Sequence, residues 1–137
     1  MTKLLNIGHK KQDKKYDYNQ VKTWSTAAVP GKDLFLLDKI FFPIHNGNAH
    51  WTLAVVFMQE KRIQMYDSLS NGSEEGAQIY LKAIFQYLRD DHVNKKKCEM
   101  PCQKEWTLGD AQEDTPQQTN GMLWYKIWTA DNTMWSI

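Results

Sequence analysis

His50 and Asp67 are the two side chains in this sequence whose types and spacing suit proton transfer. Trp51 to Phe57 (WTLAVVF) is an apolar run of strand length, and Arg62 to Tyr66 (RIQMY) is a second with partial alternation. Met58 to Lys61 (MQEK) between them makes the pair a hairpin. With an even-numbered turn, Phe57 faces Arg62 and Thr52 faces Asp67. His50, two residues beyond Thr52, then shares a sheet face with Asp67. Such diagonal neighbours sit about 7–8 Å apart at the backbone, within reach through their side chains. A carboxylate on one imidazole nitrogen fixes the tautomer and leaves the other nitrogen as a base. An odd-numbered turn would put the pair on opposite faces, and a His and an Asp at adjacent strand ends are more often ordinary surface or turn residues. Cys98 and Cys102 lie in a charged stretch, KKKCEMPCQKE, with no His or second Cys pair at zinc-finger spacing. They are expected as free surface thiols, and no metal or other cofactor is implied.

The elements that must position these residues follow from pattern. The first twenty residues are basic and polar and read as a loop-like start. YNQVKTWS from Tyr18 suits a short helix, and AVPGKD marks a turn. In LFLLDKIFFPI the second half is rich in Ile and Phe, predicting a buried strand that ends at Pro43, with IHNGNAH as a connector. DSLSNGS is a turn cluster before the clearest helix. There Ala77, Tyr80, Leu81, Ile84, Phe85 and Leu88 recur on one face, and Gln78, Lys82, Gln86 and Arg89 take the other. Ser73 is the expected N-cap, with Glu74 and Glu75 in the first turn where the helix dipole favours them. DDHVNKKK reads as the helix end and a solvated face or loop, and EWTLGD as a short edge strand before the polar turn PQQTNG. Strands around one strong helix make the expected class α+β.

Composition narrows the partners. A chain of 137 residues with 42% hydrophobic content suits one domain with a real core. A formal net charge of +1 gives no electrostatic case for nucleic acid. No apolar run approaches the roughly 20 residues that cross a bilayer, and the N-terminus has no signal-like apolar segment, so no membrane association is expected and the chain reads as soluble and intracellular.

Three blocks in one order carry a more specific reading: FFPIHNGNAHWTLAVV, then QMYDSL, then PQQTNG. Together they resemble the ubiquitin-like-specific (sentrin/SUMO-specific) cysteine protease family, whose pattern runs PIH, HW.LAVV, YDS and PQQ.NG.DCG. The helix after YDS, the W.L before PQQ and the VKTW segment match as well, and the resemblance covers Tyr18 to Gly121. It implies a partial papain-like α+β fold with an antiparallel-rich central sheet and flanking helices. It also implies thiol-protease chemistry on SUMO or another ubiquitin-like protein after its Gly-Gly end, in the nucleus and/or cytoplasm, by a monomer without a cofactor. On that resemblance His50 is the general base, Asp67 orients it, and Gln118 donates to the oxyanion. Trp24 and Trp51 are then the aromatic walls that admit a diglycine strand. An amide donor suits charge on a tetrahedral intermediate, and flat rings accept a chain without side chains; core packing is the ordinary alternative for both tryptophans.

The match stops after Gly121. Counting from Gln118, the family's nucleophilic Cys falls at Trp124, and its small residue, acid and following Gly fall at Met122, Leu123 and Tyr125. Cys98 and Cys102 precede the oxyanion turn and cannot substitute. Phe57 stands where the family usually has an acid after its AVV strand. The expected division is therefore 1–121, a partial protease domain, and 122–137, a divergent tail. Codons sharpen this. Trp is TGG and Tyr begins TA, so one nucleotide later their junction reads GGT, Gly; a Leu123 codon ending in TG then supplies TGT, Cys. The tail is expected to be a frameshifted or mis-spliced reading, with a diverged pseudoenzyme as the alternative. Three functions stay open: an inactive truncated protease, a non-catalytic binder of a ubiquitin-like modifier, or an unstable product.

Overall fold

The computed structural model describes residues 5–7, 14–27, 29–46, 50–67 and 74–109. The expected N-cap Ser73, the amide Gln118, the nucleophile position Trp124 and the tail from Met122 lie outside the described residues. Strands β1 (Leu5–Ile7) and β2 (Lys14–Tyr16) come first, then the short helix α1 (Trp24–Ala27). Strands β3 (Lys39–Asn46), β4 (His50–Phe57) and β5 (Arg62–Tyr66) follow, then helix α2 (Glu74–Lys96) and strand β6 (Thr107–Gly109). Single 3-10 turns occupy Tyr18–Gln20, Pro30–Lys32, Leu34–Leu36 and Gln103–Glu105.

The main sheet runs β3-β4-β5-β6, antiparallel except that β6 joins β5 in parallel. A parallel neighbour requires a long crossover, and α2 supplies it. Period-2 alternation sorts the sheet's two faces. Ile40, Phe42 and Ile44 of β3, Ala54 and Val56 of β4, and Ile63 and Met65 of β5 pack in one cluster with Leu81, Ile84, Tyr87 and Leu88 of α2. Phe41, Leu53 and Val55 form a separate buried cluster on the other face. The mixed sheet with helices is the expected α+β class.

Three local expectations are corrected. The basic start is not all loop, since β1 and β2 pair antiparallel with Leu5 opposite Tyr16. The third strand does not stop at Pro43 but continues to Asn46. Within the main sheet β3 is an edge, where a missing N–H on the unpaired side leaves the ladder intact. The helix ends within DDHVNKKK as expected, at Lys96, but that stretch is not all solvated.

Asp91 and His92 in that stretch are 1% and 5% exposed. Asp91 accepts from Ser25 Oγ at 2.8 Å and from Tyr18 OH at 3.3 Å, and pairs with Lys95 Nζ at 3.1 Å. Tyr16 OH donates to Asp90 at 2.9 Å. His92 Nδ1 lies 3.1 Å from the Cys98 carbonyl, with its ring edge-on to Phe35. The charged end of α2 is thus where the first third of the chain is fastened down. Cys98 and Cys102 are free and exposed, as expected.

Candidate active site

The β4–β5 turn decides whether His50 and Asp67 share a face. Phe57 is the register partner of Arg62, and pairing continues to Leu53 opposite Tyr66. Met58 to Lys61 is therefore an even-numbered turn, closed with Lys61 in the left-handed region at φ 49°. One further step of the same register sets Thr52 opposite Asp67, which immediately follows β5. His50, the first residue of β4 and the partner of Asn46, stands two positions from Thr52. By alternation Thr52 and Asp67 belong to the α2-facing side, where they are buried at 3% and 7% exposure.

β6 adds direction. Arg62 pairs with Thr107 and Gln64 with Gly109, so β6 runs alongside β5 toward the end of the sheet that carries Asp67 and His50. Gly109 comes so close to Gln64 that a Cβ there would lie 2.3 Å from Oε1. PQQTNG follows Gly109 in sequence.

The two tryptophans are not brought together. Trp24 on α1 packs against the α2-facing core, its ring 5.9 Å from Tyr87 and 6.4 Å from Phe42. Trp51 falls on the opposite face by strand alternation and is 48% exposed, its ring 4.7 Å from that of His45. Trp24 is held by the apolar surface of Phe42 and Tyr87, and Trp51 offers an exposed ring beside position 50. Sequence reading overlooked His45. Its signal was alternation continuing past Pro43, which makes His45 the cross-strand partner of Trp51.

Phe57, where an acid was expected from the family pattern, lies between two cations, with Arg62 Cζ 4.1 Å and Lys39 Nζ 5.7 Å from its ring centre. The face that an acid would have paired by charge is held instead by cation–π contact. Away from the site, burial and then the neighbouring Asp91 push the Tyr18 phenol up to about 12. Tyr16 and Tyr87 are raised further, by burial first and then by Asp90 and Asp91 respectively. These phenols stay protonated, and those of Tyr16 and Tyr18 donate to Asp90 and Asp91.

Comparison with known proteins agrees with this architecture. Residues 1–122 match the family described as Ulp1 protease family, C-terminal catalytic domain. The ubiquitin-like-specific protease ESD4 of Arabidopsis thaliana is 37% identical over 109 residues, 80% of this chain and 21% of that protein. A sentrin-specific protease of Caenorhabditis elegans is 36% identical over 104 residues, 76% of this chain and 13% of that protein. A solved structure of the SUMO protease Ulp1, with its catalytic cysteine oxidised to a sulfonic acid, superposes with TM-score 0.64 at 25% identity, covering 85% of this chain and 52% of that one. The chain thus spans about half of that solved structure and a smaller share of the curated relatives. With its matched residues, its relatives and its sheet in agreement, this chain belongs to the Ulp1 protease family, the cysteine proteases specific for SUMO and other ubiquitin-like proteins.

Proposed function

We propose that this chain is the base-bearing part of an Ulp1-type catalytic domain, which engages the Gly-Gly end of SUMO or a related modifier but does not hydrolyse it as written. The observation that supports the proposal is the register of β4 and β5, in which Leu53 lies opposite Tyr66, so that His50 at the start of β4 and Asp67 just after β5 stand at the same end of the sheet. In this reading Asp67 orients the His50 imidazole, Gln118 donates an amide N–H to the developing oxyanion, and Trp51 lies along the glycine strand. The family reaction requires a thiol whose proton passes to the imidazole as the thiolate attacks the scissile carbonyl. Trp124 at that position offers no nucleophile. The solved Ulp1 catalytic domain in complex with the yeast ortholog of SUMO supports the choice of partner. The chain acts as a monomer inside the cell, and Met122 to Ile137 is a shifted-frame reading of what would have been the nucleophile helix.

The test uses the full chain and SUMO carrying a C-terminal fluorophore amide. Fluorescence anisotropy is expected to rise on titration while no fluorophore is released. Release that depends on His50 would mean that a nucleophile exists elsewhere in the chain. No anisotropy change with any ubiquitin-like modifier would remove the binding reading and leave a folded or unfolded remnant.

A further inference from the structure

We propose that His45 is a positioning residue for Trp51, and that the two rings form a single aromatic platform beside the base position; this rests on the reading of the site given above. His45 and Trp51 are register partners across β3 and β4, with ring centroids 4.7 Å apart and planes inclined at 56°. Both side chains are exposed, Trp51 at 48%, on the face turned away from α2. Neither ring is needed to fill the core: on that face Phe41, Leu53 and Val55 form the buried cluster, with Phe57 and Tyr66 packed against it.

An exposed indole on a strand can occupy several staggered rotamers, and each has to be given up when a ligand settles against it. A ring packed across the strand from it restricts that choice before binding, which is how preorganisation raises affinity. Trp51 directly follows His50 at the end of the sheet, so an extended chain that crosses this end to present its carbonyl at position 50 passes beside the indole. A strand without side chains makes most of its contact through flat peptide planes, and two adjoining rings present a wider flat surface than one. His45 thus acts on the glycine strand through Trp51.

The test reads the indole directly and binding separately. In a 1H–15N spectrum of the full chain, the Trp51 Nε1–H signal is identified by its loss in Trp51→Phe. His45→Ala is expected to shift and broaden that signal, and His45→Phe, which keeps a ring, to restore a sharp one. Thermal stability is expected to stay unchanged in both. With the labelled modifier, His45→Ala is expected to weaken binding about two- to tenfold, the span that the coupling of an aromatic pair corresponds to. In the Trp51→Ala background the same change is expected to cost little more, because the residues act as a unit. An indole signal indifferent to His45→Ala, or losses that simply add, would overturn the proposal. If no modifier binds at all, the proposed function fails on its own, while the indole signal still decides the role of His45.

Discussion

Asp91 is a carboxylate in the middle of a stretch that reads as solvent-facing, yet it is 1% exposed. Its partners explain the burial: Ser25 Oγ, Tyr18 OH and Lys95 Nζ together satisfy a charge that would otherwise be costly to bury. Removing one partner from such a group is more damaging than never having had the group. Asp91→Ala is expected to destabilise the chain by about 3 kcal/mol in urea unfolding. Adding Lys95→Ala should cost less than it does alone, since the lysine has then already lost its ion pair and keeps only Ser25 Oγ and the Lys32 carbonyl. Tyr18 contributes a pH dependence. Its phenol ionises near 10.0 in the unfolded chain and at about 12 when folded. Between those values the unfolded state holds fewer protons, so stability falls as pH rises through that window and is fully present below it. Urea midpoints measured across alkaline pH should decline, and Tyr18→Phe should reduce the slope without abolishing it, because Tyr16 and Tyr87 are raised too.

At the scale of the elements, legibility tracked the range of the forces involved. The β4–β5 hairpin was legible because two apolar runs and a four-residue turn fix the parity locally, and Phe57 opposite Arg62 follows. The apolar face of α2 was legible by its period, but the burial near its end was not. The residues that make Asp91 a buried group lie as much as 73 positions earlier in the chain, and no local pattern announces them. Pro43 was read as a stop because sequence does not reveal which strand will be an edge. Trp24 and Trp51 were read as a pair because types and order say nothing about which sheet face each ring meets. β6 shows a local cause with a longer reach: Gly109 admits the Gln64 amide at a distance that a Cβ would violate. Gly109→Ala is expected to cost about 1 kcal/mol, since the Gln64 side chain is buried and has to swing aside. Gln64→Ala in that background should recover part of the loss, which thermal unfolding of the two variants would show.

In the whole molecule, a family domain spanning about half of the solved structure it matches has a sheet end where His50, Asp67 and the exposed Trp51 stand close in the fold. On the proposed function, His50 and Asp67 work as a pair even though Trp124 stands where the nucleophile belongs. A single measurement addresses that claim without any substrate: a long-range 1H–15N correlation spectrum of the His50 imidazole, which reports which ring nitrogen carries the proton. The account predicts that His50 holds its proton on the nitrogen turned to Asp67, and that Asp67→Asn shifts the tautomer balance while the other three histidines keep theirs. A His50 tautomer unaffected by Asp67→Asn would contradict the pairing, and with it the assignment of this sheet end as the site.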